Sequence, residues 1–188
     1  MVSRRGNHVD RSFVETCVRK RYVYRGRVVS FRSDRIRLPN GALAEREFMD
    51  HPGAVGVVPL LPGGRVVLVR QYRYPVLETT YELPAGKLDA GEAPLACVRR
   101  ELREETGYTA RSVRPLIDYW PTAAFANELL HLYVARGLKA GAMSPDDDEF
   151  VACEVVPVER ALRWILSGRI RDSKTVIGLL ACRVRGIV

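Results

Sequence analysis

Hydrophobic and polar positions alternate with a period near two through much of the first half of the chain, a pattern typical of strands. Residues 17–24 and 27–38 are rich in Val, Tyr and Phe, and residues 43–50 follow a turn at 39–41. The turn carries an Asn-Gly pair, which tolerates positive φ at both central positions of a hairpin. We therefore expect a first hairpin in this region.

A second hairpin is expected from the next apolar segment. The mostly apolar run at 54–61 predicts a buried strand, and a Pro-Gly-Gly turn at 62–64 connects it to a returning strand at 65–72. A further short strand is expected at 79–83. The strand patterns therefore fill most of the first half of the chain.

The periodicity changes to that of a helix over residues 93–106, where Pro94 lies near the start and Gly107 just past the end. We expect further elements in the rest of the chain: helices at 158–166 and 174–184, and strands at 112–119, 129–135 and 152–156. Strands dominate early, helices come in the middle and at the end, and no repeat is visible. This order predicts an α+β fold with an additional small antiparallel sheet at the N-terminus.

The chain length of 188 residues suits one domain with a small appendage. We divide it into a flexible tail at 1–15, an N-terminal β-sheet region at 16–50 and a main domain at 51–188. The sheet region has strand periodicity but little apolar bulk for a core of its own, and an isolated hairpin is marginally stable at best. The region is therefore not expected to be stable by itself.

Composition excludes several classes of protein. Hydrophobic residues make up 47% and charged residues 28%, which are globular values and argue against disorder, collagen and coiled coil. The longest apolar stretch, 54–62, is too short and too broken by Gly and Pro to span a bilayer, and the N-terminus lacks the apolar core of a secretory signal. The cysteines form no CxxC pair. We expect reduced thiols and a cytoplasmic location.

The net charge of +8 is concentrated in the first 50 residues, which hold 12 Lys and Arg against 6 Asp and Glu. Such a basic segment can bind nucleic acid, bind a phosphorylated ligand or keep the surface solvated. The charges alternate with apolar residues instead of forming a solid basic block, which weakens the nucleic-acid interpretation. We expect neither a nucleic-acid nor a membrane partner.

The central helix places carboxylates next to its apolar face. With Val98 set at zero on a helical wheel, Leu95 falls near about 60° and Leu102 near about 40°, and these residues form the apolar face. Glu105 falls near about −20°, against that face, and Glu101 near about −60°, at its border. A carboxylate directed toward a core is costly unless it is paired or binds a metal ion.

Three glutamates of this helix, Glu101, Glu104 and Glu105, are spaced i, i+3 and i+4 and therefore share one side. Converging carboxylates repel one another, and a hard divalent cation relieves that repulsion. The alternative is a solvated acidic face whose partners lie on the same helix: Arg99, Arg100 and Arg103.

The segment 86–108, GKLDAGEAPLACVRRELREETGY, contains a longer pattern around these glutamates. It resembles the Nudix box, in which the matching positions are Gly86, Glu92, Arg100, Glu101, Leu102, Glu104, Glu105 and Gly107. Tyr108 replaces the usual final aliphatic residue. Seven fixed residues would coincide by chance at a given start with a probability on the order of 10⁻⁸ to 10⁻⁹. The resemblance implies a Nudix α/β/α sandwich with a mixed sheet, preceded here by the small N-terminal sheet.

The resemblance also implies a metal-dependent hydrolysis of a diphosphate. Glu101, Glu104 and Glu105 are then catalytic residues that hold Mg²⁺, with Mn²⁺ as an alternative. Arg100 is expected to orient a glutamate through a charge-assisted hydrogen bond, and Glu92 is expected to be its structural partner.

Segments at 38–60, 69–92, 119–138 and 146–180 extend the resemblance to the ADP-ribose pyrophosphatase group of nucleoside-diphosphate-sugar hydrolases. Carried over residue by residue, Ala85 offers its backbone carbonyl to the metal. The implied substrate-binding residues are Arg46 and Arg73, which contact phosphates, Glu82, which supports the site from an adjacent strand, and Tyr24, which with Tyr22 is a candidate for stacking on the base.

The group's general base is an acidic residue in a loop before the last strand. Here the acidic run 146–149 occupies that region, and we favour Glu149, with Asp147 and Asp148 as alternatives. The loop carboxylate is expected to take the proton of the attacking water, and Arg73 and Arg46 to neutralise charge developing on the phosphoryl oxygens.

The expected reaction is hydrolysis of ADP-ribose to AMP and ribose 5-phosphate by a homodimer that pairs through the N-terminal sheet. One departure keeps another substrate open: the group commonly has Ser-Pro-Gly-Phe after the box, whereas this chain has Thr-Ala-Ala-Phe at 122–125, with Ala123 in place of the proline. The alternatives are a GDP-mannose or other nucleotide-sugar pyrophosphatase, a non-catalytic nucleotide-sugar sensor and a nucleic-acid module.

Overall fold

The computed structural model describes residues 10–145 and 149–188, which divide into two compact units. The first comprises the described residues up to His51 together with Thr122–Asn127, and the second comprises Pro52–Pro121 and Glu128–Val188. The later segment joins the first unit because Met49 N–H donates to the Phe125 carbonyl over 2.8 Å. The division into tail, sheet region and main domain stays a prediction, and residues 1–9 of the tail lie outside the described residues.

The first unit is a small antiparallel sheet, preceded by a single 3-10 turn at Arg11–Phe13. Its strands are β1 (Thr16–Arg19), β2 (Tyr22–Arg25), β3 (Ser30–Arg37) and β4 (Leu43–Asp50). Strand β4 pairs with the whole length of β3, whereas β1 pairs with its last residues and β2 with its first. The single strand expected at 17–24 is therefore divided into β1 and β2. The break lies beside the buried Asp34 of β3, whose Oδ1 accepts the Arg21 N–H over 3.2 Å.

The hairpin turn between β3 and β4 is present, but only Gly41 has positive φ, at 86°. The Gly41 N–H donates to the Leu38 carbonyl over 2.9 Å, which closes a four-residue turn. Pro39 fixes negative φ at the first corner, so the loop is a turn followed by one left-handed glycine. Asn40 instead accepts the Ala42 N–H on its side chain, over 3.0 Å.

The second unit is built on a seven-stranded mixed sheet. Its strands are β5 (Ala54–Leu61), β6 (Arg65–Arg73), β7 (Glu78–Glu82), β8 (Ala85–Lys87), β9 (Thr109–Tyr119), β10 (Leu130–Lys139) and β11 (Val151–Pro157). The pairing of β5 with β10 is parallel, and the other pairings are antiparallel. Strands β5 and β6 pair only beside their turn and then diverge, and β8 pairs with the other end of β5.

Three α-helices belong to this unit: α1 (Pro94–Thr106), α2 (Val158–Leu166) and α3 (Ser173–Val184). The expected first residue and C-cap of α1 are confirmed, because the helix begins at Pro94 and Gly107 ends it with a φ of 72°. Helix α3 begins one residue before its predicted start, and the Asp172 carboxylate caps it by accepting the Thr175 N–H over 3.0 Å. None of the helices in the described part of the chain is long and apolar enough to cross a membrane.

The sheet lies between α1 on one face and α2 and α3 on the other, which confirms the α/β/α sandwich. Successive residues of β5 point to opposite faces, so Val55 and Val57 pack with α1. Val58 packs with the second core, which includes Leu179 of α3. The cores therefore fix α1 and α3 against strands that are distant from them along the chain.

One residue of the predicted apolar face of α1 does not pack in the core. Leu95 is exposed, whereas Val98 and Leu102 are buried together with Cys97. A helical wheel ignores position along the helix axis, and Leu95 lies in the first turn, at the margin of the core.

All four cysteines are free thiols, as expected.

Candidate active site

The helical wheel places Glu105 against the apolar face and Glu101 at its border, and both carboxylates are buried. Glu101 and Glu105 of α1 lie against β8, where Glu105 accepts the Ala85 N–H over 2.9 Å. The Glu101 carboxylate lies so close to Gly86 that a Cβ atom at this position would overlap it. A side chain at position 86 would therefore force the Glu101 carboxylate to move from its place against β8.

Burial raises the pKa of both carboxyl groups, to about 8 for Glu105 and about 7 for Glu101. The Ala85 N–H and Arg100 partly oppose this effect, and repulsion between the two glutamates adds to the increase for Glu105. Burial therefore disfavours the charged forms of both carboxyl groups at neutral pH. Hard oxygen donors in this situation suit a divalent cation.

Arg100 fixes the outer side of this pair. Its Nε and Nη2 donate to the two oxygens of Glu92 over 3.0 and 2.9 Å. Its Nη1 donates to Glu101 over 2.7 Å and to Glu104 over 3.1 Å. The hydrogen bonds from Arg100 lower the pKa of Glu92 to about 2. The expected contact between Arg100 and a glutamate is thus present, and Glu92 is its partner.

Glu104 is in a different environment from Glu101 and Glu105. Its carboxylate faces Arg100 and Arg103 and is partly exposed. Across residues 10–145 and 149–188, no three His, Cys, Asp or Glu side chains lie close enough together to hold a metal ion. The metal-binding roles of Glu104 and of the Ala85 carbonyl stay predictions.

Glu149 lies within electrostatic range of the buried pair. Its negative charge contributes to the raised pKa of Glu101 and of Glu105. The two other candidates for the base, Asp147 and Asp148, lie outside the described residues. The role of Glu149 as a base stays a prediction.

A second charged cluster lies where β6 and β7 pair. Arg73 donates through Nε and Nη2 to the two oxygens of Glu82 over 2.8 and 2.7 Å. The Glu82 carboxylate also accepts from Thr80 Oγ1 over 2.5 Å and from Lys174 of α3. Burial by itself would raise the pKa of Glu82, but the Arg73 and Lys174 charges outweigh burial and lower the pKa to about 2. Glu82 is therefore ionised at any ordinary pH.

A cleft of about 250 Å³ lies beside Ala85 and Gly86, the residues of β8 that Glu105 and Glu101 contact. Its lining also includes Arg73, Asp172 and Lys174. The sequence predicted Arg73 and Ala85 as site residues but did not indicate Asp172 and Lys174. The Asp-Ser-Lys-Thr order offered a helix-cap signal at Asp172, whereas nothing local shows that Lys174 is buried.

Two predicted substrate residues belong to the first unit. Arg46 pairs there with Glu15, and Tyr24 is exposed on β2. Tyr22 donates its hydroxyl to Asp50 over 2.7 Å, and the guanidinium of Arg25 lies 3.6 Å from the centre of its ring. The ligand-binding roles of Arg46 and Tyr24 stay predictions.

The chain is similar to known proteins over most of its length. A family model described as "NUDIX domain" matches residues 50–176. The chain is 36% identical over 171 residues to the ADP-ribose pyrophosphatase of Bacillus subtilis (strain 168), which covers 90% of this chain and 92% of that protein. It is 43% identical over 169 residues to the methanol dehydrogenase activator of Bacillus methanolicus, with 89% and 91% covered.

A solved structure of an ADP compounds hydrolase superposes with a TM-score of 0.79 and covers 92% of this chain and 95% of that one. Its sequence identity is 21%, so this likeness concerns the fold alone.

Proposed function

Because this chain belongs to the Nudix hydrolase family, we propose that it hydrolyses the diphosphate bond of ADP-ribose to AMP and ribose 5-phosphate. The observation that carries the proposal is the buried pair of Glu101 and Glu105 beside a cleft lined by Arg73. A cation-binding pair next to a guanidinium is an arrangement suited to a charged diphosphate. The choice of ADP-ribose is supported by the similarity to the Bacillus subtilis enzyme.

The cofactor that we propose is Mg²⁺, with Mn²⁺ as an alternative. Glu101 and Glu105 would hold it together with the Ala85 carbonyl, and Glu104 would lie close by. The two buried carboxyl groups fit a cation because burial disfavours their charged forms and raises their pKa values, and a bound cation would offset that cost. When bound, the cation polarises the diphosphate and lowers the pKa of a water molecule.

Other side chains of the protein would position the carboxylate, neutralise charge and accept a proton. Arg100, anchored by Glu92, keeps the Glu101 carboxylate in place. Arg73 would neutralise negative charge on the phosphoryl oxygens through the edge that Glu82 does not engage. Glu149 would accept one proton of the attacking water, whose oxygen bonds to one phosphorus while the bridging P–O bond breaks and the other phosphate leaves with the bridging oxygen.

We also propose a cytoplasmic homodimer that pairs through the N-terminal sheet, with Arg46 and Tyr24 contacting the substrate. Support comes from several large apolar side chains that are exposed on the first unit: Val18, Val23, Tyr24, Val28 and Phe31. Sedimentation tests the assembly, and a particle near 21.2 kDa would contradict the dimer.

Two other functions have specific support. Ala123 stands where the ADP-ribose group has proline, which favours GDP-mannose or another nucleotide sugar as the alternative substrate. The similarity to a methanol dehydrogenase activator favours a second candidate, activation of a dehydrogenase. Faster alcohol oxidation by a purified methanol dehydrogenase on addition of this chain would support that candidate.

The first experiment measures AMP release from ADP-ribose, beside turnover of GDP-mannose, with Mg²⁺ present. Glu105→Gln should lower the rate by about 100-fold or more, because the cation loses a charged ligand. Glu159→Gln, an exposed glutamate on α2, is the matched control and should keep the rate. Preference for GDP-mannose would change the substrate and keep the site, whereas turnover of neither would contradict the proposed function.

A further inference from the structure

We propose that Lys174 is a positioning residue whose ammonium group balances Glu82 and Asp172, so that Arg73 remains available to a diphosphate. The proposal deepens the function proposed above and rests on it for the diphosphate. It does not depend on which nucleoside or sugar the diphosphate carries.

Lys174 lies between two carboxylates. It is buried, and its Nζ donates to Glu82 and, over 2.9 Å, to Asp172. A buried ammonium group is tolerated when such partners replace its hydration. The ammonium group of Lys174 is therefore engaged in ion pairs within the protein.

Arg73 shares one of those carboxylates. Its guanidinium binds both oxygens of Glu82, and the Oε2 atom also accepts from Lys174. The four charged groups form a balanced set of two cations and two carboxylates. Without Lys174, Arg73 alone would face the negative charge of Glu82 and Asp172, an attraction that is strong where water is excluded. The guanidinium would then be held away from a ligand.

Exposure separates the roles of the two cations. The Arg73 side chain is 43% exposed and that of Lys174 is 10% exposed. Both border the cleft beside Ala85 and Gly86. Arg73 is therefore the group that can reach a ligand, and Lys174 acts behind it.

The packing of helix α3 beside β7 fixes the position of Lys174. Asp172 accepts from the N–H and hydroxyl of Thr175 over 3.0 and 2.5 Å, and Thr175 accepts the Leu83 N–H over 2.8 Å. At Gly178 the helix comes so close that an added Cβ would lie 2.7 Å from a Leu83 methyl group. These contacts lie two residues before Ala85, so the network also borders the backbone of the proposed metal site.

The test is a double-mutant cycle read as the Kd of inorganic pyrophosphate, measured by calorimetry with Mg²⁺. Lys174→Met should raise the Kd about tenfold in the otherwise unchanged chain. In an Arg73→Gln background the same change should raise it by less than about twofold, because Lys174 acts through Arg73. Arg183→Met removes an exposed cation from the same helix and should leave the Kd unchanged.

A second variant keeps the test decisive where Lys174→Met fails to fold. Asp172→Asn retains a good helix cap but removes one carboxylate from the network. Arg73 then faces less competing negative charge, so the Kd should fall by about twofold to threefold. A purely structural role for this cluster predicts no tightening.

The results separate this proposal from the proposed function. Additive effects of Lys174→Met and Arg73→Gln, an unchanged Kd in Lys174→Met, or no tightening in Asp172→Asn would overturn the positioning role. So would failure of the unchanged chain to bind pyrophosphate. Absence of ADP-ribose hydrolysis with the expected cycle intact would reject the substrate and leave the role of Lys174 standing.

Discussion

The burial of Glu105 predicts an unusual pH dependence of folding stability when no metal is present. Its pKa is raised from 4.5 to about 8 in the folded chain, first because burial disfavours the carboxylate and then because of nearby negative charge. Below pH 4.5 the carboxyl is protonated in both the folded and unfolded chain, so it costs nothing. As pH rises to about 8 the unfolded chain loses the proton first, and the free energy of unfolding falls.

The size of the effect follows from the pKa difference. A rise from 4.5 to about 8 corresponds to a loss on the order of 4 to 5 kcal/mol at and above pH 8. Glu105→Gln keeps an oxygen that can accept the Ala85 N–H but cannot ionise. The variant should therefore gain stability relative to the unchanged chain as pH rises, and the difference should vanish near pH 4.

The assay is urea unfolding between pH 4 and pH 9, in EDTA and with Mg²⁺. Comparing the two chains at each pH removes the titration of shared groups that do not interact with Glu105, whereas Glu101, which does, contributes to the difference. Mg²⁺ should stabilise the unchanged chain at pH 8 and have little effect on Glu105→Gln. Stability of the unchanged chain that does not decline relative to the variant between pH 5 and pH 8 would refute the reasoning.

Two further predictions concern backbone positions. Gly86→Ala should abolish hydrolysis and displace Glu101, because the new methyl group overlaps its carboxylate; a crystal structure of the variant with an unmoved Glu101 would contradict this. Leu77 is exposed and has a φ of 54°, a strained conformation for a residue with a side chain. Leu77→Gly should raise the free energy of unfolding by about 0.5 kcal/mol, because the relief of this strain exceeds the conformational entropy that glycine loses on folding. Val76→Gly, also exposed but without positive φ, should lower it, and equal changes at both positions would argue against strain.

Much of the fold was predictable because its signals are local. The strand predicted at 54–61 and the helix at 158–166 have the observed bounds, since a continuous apolar run and a helical period need no distant partner to be recognised. Helix α1 was also placed closely, between Pro94 and Gly107. The box residues of this helix then indicated the buried carboxylate pair.

Other features depend on contacts between distant parts of the chain. Strand β8 has three residues, too few for a periodic pattern, and it forms because β5 diverges from β6 and leaves its other end to pair. The strand expected at 17–24 is broken around Asp34, which lies on β3. Leu95 shares the apolar face of α1 on a wheel, but its place in the first turn leaves it exposed.

The sequence by itself determined the family and most of the order of elements. It also singled out Glu101, Glu105 and Arg100, because the pattern that contains them follows from residue spacing on one helix. Only the tertiary structure decided what covers these carboxylates and which charges meet. The raised pKa of Glu105 requires β8 to cover it, and Lys174 reaches Glu82 across 92 positions of the chain. Desolvation and ion pairing depend on distance in space, and that distance exists only once the sheet and its helices have packed.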